Sequence, residues 1–140
     1  MAMADDPIEE PAFEPSPEDV ASVLAWFDDY DELAATAQVE RMADLAMFPL
    51  NSVTDDAEGN GSASWSDREQ YVREMTEIVG DGARMESVRT PHFLSRSLVF
   101  VVTDATYTHD GVRHRMRYGD LLIRREGRWY FQTMVQGGWG

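Results

Sequence analysis

The spacing of apolar positions changes once along the chain. Before about residue 83 they recur at helical intervals, and after it they alternate. Val20, Val23, Leu24, Phe27 and Ala34 fall on one stripe, with Trp26, Tyr30 and Leu33 on an adjoining one. This spacing predicts an amphipathic helix reaching to about residue 36. Ser16-Pro17-Glu18-Asp19 marks its start: a capping Ser, a Pro in the first turn, and acids at the positive end of the dipole. Val39 to Phe48 predicts a second helix, ended by Pro49. Leu50–Thr54 reads as a short strand, and Asp55–Ser64 as a loop rich in Gly, Asn and Ser. Ser66 and Glu69 form a capping-box pattern for a third helix. Tyr71, Val72, Met75, Ile78 and Val79 give that helix a buried face, and Gly80 and Gly82 end it.

Beyond residue 83, Arg84–Phe93, Leu98–Thr108, Val112–Arg125 and Arg128–Gln136 predict four strands. Asp110-Gly111 and Glu126-Gly127 are hairpin turn signals that join the last three. Helices followed by a meander predict an α+β fold, a curved mixed or antiparallel sheet packed on three N-terminal helices. The expected domain covers residues 16–140. Residues 1–15, acidic and proline-rich, read as a disordered arm.

Composition narrows the function. A chain of 140 residues that is 43% hydrophobic, with four Trp and six Phe, supports one core. The net charge is −14, from 26 acids against 12 basic residues, all of them Arg, which opposes a nucleic-acid role. No stretch reaches the roughly 18 apolar residues of a membrane span. The N-terminus lacks the basic-then-apolar order of a secretory signal, so the cytoplasm is the expected location. Cysteine is absent, which rules out thiol chemistry. The three His and the acids show no metal-ligand spacing, and no glycine loop suits a phosphate. No metal or organic cofactor is expected.

The residues able to do chemistry cluster on two elements. On the first helix Trp26 and Tyr30 share a face, as do Phe27 and Asp31. Thr90-Pro91-His92-Phe93 ends the first long strand, and a carboxylate such as Asp31 would make His92 a useful base near neutral pH. On the strand Val112–Arg125, His114, Met116, Tyr118, Asp120 and Leu122 alternate with Arg113, Arg115 and Arg117. The first set is expected to look into a pocket, with a bulge at Gly119 able to swap the faces beyond it. Both faces of the last strand are partly apolar, which suggests a homodimer through the outer face of the sheet.

The ending Tyr118-Gly119-Asp120 … Arg125-Glu126-Gly127-Arg128-Trp129 resembles the last hairpin of the nuclear transport factor 2-like superfamily. A narrower likeness is to scytalone dehydratase and related SnoaL-like lyases. Trp26-Phe27-Asp28-Asp29-Tyr30-Asp31 is similar to that enzyme's first-helix motif, and Thr90-Pro91-His92-Phe93 to the segment holding its catalytic His. The resemblance implies that Tyr30 polarises a carbonyl, Asp31 orients His92, and His92 moves the proton. The chain departs from the pattern where it has Asp55 in place of a second Tyr, and Thr103 or Asp104 in place of a second His. That enzyme's covering C-terminal tail has no expected counterpart in Gly137-Gly138-Trp139-Gly140. Asp55 or Asp56 falls near the general base of ketosteroid isomerase-like members.

Two functions are compatible with these residues. One is a lyase, isomerase or cyclase acting on a small apolar, aromatic or ketone ligand. Its catalytic set is Tyr30, Asp31 and His92, with Trp26, Asp55, Asp56, Trp65, Met116, Tyr118, Asp120 and Met134 binding the substrate. The other is a non-catalytic ligand-binding or dimerisation module of the same fold.

Overall fold

The computed structural model describes residues 12–140; the earlier part of the expected acidic arm lies outside the described residues. Helix α1 (Pro17–Ala35) starts where its capping signals placed it. The Ser16 hydroxyl accepts from the Asp19 amide, and the Asp19 carboxylate accepts from the Ser16 amide. Val23, Trp26 and Phe27 are its buried residues.

Helix α2 (Val39–Ala43) is shorter than predicted. The chain from Ala46 is already strand β1 (Ala46–Asp55), because Ala46 pairs with Phe131 of the last strand. Pro49 has no N–H to give a ladder, and the register breaks between Ala46 and Asn51. Strand β2 (Gly61–Ser66) occupies part of the predicted loop and pairs antiparallel with β1. Its alternation is short and weak, Ala63 and Trp65 against Ser62, Ser64 and Ser66, and it follows directly on a run of turn-forming residues. Helix α3 (Arg68–Val79) is capped one residue later than expected, by Asp67 and Gln70.

Strands β3 (Glu86–Ser95), β4 (Leu98–His109), β5 (Val112–Arg125) and β6 (Arg128–Val135) form the expected antiparallel meander. Asp110, Gly111, Glu126 and Gly127 all have positive φ, as tight two-residue hairpins require. The six strands lie in the order β2-β1-β6-β5-β4-β3, and the β1–β6 pair is parallel, so the sheet is mixed. The expected bulge at Gly119 is not there. The irregularity lies between Leu121 and Leu122, where Gln132 is the extra residue on β6. Asp120 therefore keeps the same face as Tyr118 and Met116.

Helices α1 and α3 cover one face of the sheet. Trp26, Tyr30 and Tyr71 all meet the ring of Phe131 on β6. Leu50, Val99, Val101, Leu122 and Trp129 complete the sheet's share of the core. The other face carries Val88 and Leu94, both strongly exposed, on the side expected to meet a second copy. No helix among the described residues is long and apolar enough to cross a membrane.

Candidate functional site

Between the helices and the inner face of the sheet lies an open cavity of about 760 Å³. Cross-strand pairing sets its floor. Arg89 of β3 pairs with Thr103 of β4, and Thr103 pairs with Tyr118 of β5. One step along, Val101 pairs with Asp120, and Asp120 pairs with Met134 of β6. These side chains share one face because alternate residues of a strand do. Helix α1 contributes Tyr30 and Asp31 to the wall, and α3 contributes Met75 and Val79.

Asp120 is 8% exposed, and its carboxylate makes no hydrogen bond or ion pair to protein among the described residues. Burial pushes its carboxyl up to about 7; the nearby Asp31 charge adds to this, and Arg89 opposes it. The Tyr30 and Tyr71 hydroxyls lie 2.8 Å apart, and either can donate. Tyr30 lines the cavity, whereas Tyr71 is buried behind it. When Tyr71 donates, the Tyr30 proton is free for a ligand. Burial holds the phenols of Tyr30, Tyr71 and Tyr118 above their ordinary value. At neutral pH they are donors, not phenolates.

The Asp31 carboxylate does not meet His92. It is clamped by Arg89, through Nη1 to Oδ2 and Nη2 to Oδ1, the latter at 2.9 Å. His92 is exposed on the outer face, because it sits three residues from Arg89 on an alternating strand. The predicted dyad is thus corrected to an Asp31–Arg89 ion pair. Arg89 and Tyr71 are the site residues that sequence reasoning missed.

Of the predicted binding residues, Met116, Tyr118, Asp120 and Met134 line the cavity with Tyr30 and Asp31. Trp26 does not, since it is core, stacked on Tyr30 and edge-on to Phe131. Trp65 is 61% exposed on β2, at the edge of the sheet. Asp56 closes its own turn by accepting from the Glu58 and Asn60 amides. Asp55 holds the chain end instead, accepting from the Gly138 amide at 2.7 Å and, through its carbonyl, from Gly140 at 2.9 Å. That anchoring brings Trp139 to the cavity wall, where no contribution was expected from the tail. Among the described residues no cluster of His, Asp and Glu is arranged to hold a metal ion.

No family model and no curated protein matches the chain. Solved structures do. A candidate scytalone dehydratase from Novosphingobium aromaticivorans superposes with a TM-score of 0.63 at 16% identity, over 84% of this chain and 82% of that one. A candidate calcium/calmodulin-dependent protein kinase II association domain from Xanthomonas campestris gives 0.61 at 20% identity, over 94% and 96%. A nuclear transport factor 2-like protein of unknown function from Shewanella oneidensis gives 0.66 at 9% identity, over 84% and 98%. The chain has the nuclear transport factor 2-like fold. At these identities the likeness concerns the fold alone.

Proposed function

We propose that this protein is an acid–base catalyst of the lyase, isomerase or cyclase type, acting on a small apolar ligand that carries a carbonyl or hydroxyl oxygen. The observation that supports this reading most is Asp120: a buried carboxyl facing a ligand-sized cavity, with its midpoint raised to about 7. A group poised near the working pH can both take and return a proton. Asp120 replaces His92 in that role. Tyr30, backed by Tyr71, donates to the oxygen on which charge develops, as a preorganised donor should. Met116, Met134 and Phe27 supply apolar walls that adapt to a flat or irregular ligand.

The test needs no knowledge of the natural substrate. The wild-type protein should speed exchange of hydrogen for deuterium next to the carbonyl of cyclohexanone in D2O, followed by proton NMR. Asp120→Asn should slow that exchange by about 10²- to 10⁴-fold, and His92→Ala should leave it unchanged. Equal rates in wild type and Asp120→Asn, or no rate above buffer, would overturn the proposal. A non-catalytic ligand carrier is the second reading, favoured by the missing Asp31–His92 contact. It predicts ligand binding without any turnover that depends on Asp120.

A further inference from the structure

The Arg89 guanidinium is used on every side. Besides its two bonds to Asp31, Nε donates to the Thr103 hydroxyl at 3.2 Å and Nη2 to the Tyr118 hydroxyl at 3.2 Å. Its plane lies over the Phe27 ring, 4.4 Å from the centroid. The side chain is 7% exposed, while that of Asp31 is 41% exposed. For stability alone, such a pair offers little over an apolar side chain of the same volume, since the Arg89 charge must be desolvated to make it. Its cost suggests another role.

Guanidinium N–H groups donate and never accept. The Tyr118 oxygen must therefore accept from Arg89, and its own proton points away from Arg89. Tyr118 and Asp120 are two residues apart on β5, so their side chains stand next to each other on the cavity floor. We propose that Asp31 and Arg89 are positioning residues: locked together, they hold the Tyr118 hydroxyl as a donor toward the cavity and balance the field at Asp120.

The titratable groups whose charges act on or respond to Asp120 are Arg89 from β3, Asp31 and Tyr30 from α1, Tyr71 from α3, and Tyr118 beside it. Among them Arg89 favours the carboxylate and Asp31 the acid, and a rigid clamp fixes their balance. The inference rests on the reading of Asp120 as the group that moves the proton. It is nevertheless tested without turnover, so the two can fail separately.

The experiment is a carbon-13 NMR titration of the Asp120 carboxyl in the whole chain, with the Tyr118 Cζ signal followed alongside. Asp31→Asn should move the Asp120 midpoint down and Arg89→Met should move it up, each by about one pH unit. The double variant should return toward wild type, and Arg89→Lys should rescue the midpoint because it keeps the charge. The Tyr118 signal should move in both Arg89 variants, since lysine lacks the fork. If Arg89→Met prevents folding, Asp31→Asn carries the test from a half-exposed position. Variants that lower the melting temperature but leave the Asp120 midpoint and the Tyr118 signal in place would make the pair purely structural and overturn the inference.

Discussion

A carboxyl group buried on the floor of a cavity loses most of its hydration, and Arg89, the cation that acts on Asp120, is already committed to Asp31. The neutral form is then favoured until near-neutral pH. Around it the phenols are kept protonated by the same burial. Tyr71→Phe should cost about 1 kcal/mol of stability in urea unfolding, the net worth of one hydrogen bond. It should also weaken the donor strength of Tyr30, so exchange activity should fall, by less than in Asp120→Asn. Tyr30→Phe should lower activity further, because Tyr30, unlike Tyr71, lines the cavity. Individual side chains were partly legible in the sequence. Tyr30, Asp31, Tyr118 and Asp120 could be found by face and by type. Arg89 and His92 could not be told apart, because both sets of alternating residues on β3 mix apolar with polar. Phe93 and Pro91 accompany Arg89, and Val88 and Leu94 accompany His92, so no pattern said which set faced inward.

At the level of elements, the hairpins were legible because their turns demand unusual backbone. Asp110-Gly111 and Glu126-Gly127 have the positive φ values that few residues tolerate. β2 was not legible, since Ala63 and Trp65 alternate with serines over only six residues, next to a loop rich in Gly, Asn and Ser, and the strand is ordered by its pairing with β1. The α3–β3 connection depends on Gly82 in a further way. It has φ of +135°, and a Cβ there would fall 2.3 Å from the Ala35 carbonyl oxygen at the end of α1. The neighbouring Ala83 amide bonds to Ala34, which fixes this close approach. Gly82→Ala should therefore destabilise the fold by about 1–3 kcal/mol in chemical denaturation. Because the α1 end and the start of β3 both border the cavity, ligand affinity should fall with it.

For the molecule as a whole, a buried acid makes stability depend on pH in a defined direction. The ordinary carboxyl value is 3.8 and the folded value about 7. Between these the folded chain holds a proton that the unfolded chain has lost. The contribution of Asp120 to stability is therefore greatest below the lower value and falls as pH rises toward the higher, by up to about 1.4 kcal/mol per unit. Asp120→Asn should remove this part of the pH dependence and be more stable than wild type at pH 8, by up to about 4 kcal/mol. Denaturant unfolding at pH 5 and pH 8 would show it. The net charge of −14 adds self-repulsion as pH rises, but one substitution barely alters that background.

The measurement that bears most directly on the account is the titration of the Asp120 carboxyl carbon in the wild-type protein without ligand. The cavity described above predicts a midpoint of about 7. An ordinary midpoint, below about 5, would mean that Asp120 is hydrated and charged at neutral pH, and would contradict its role in moving a proton.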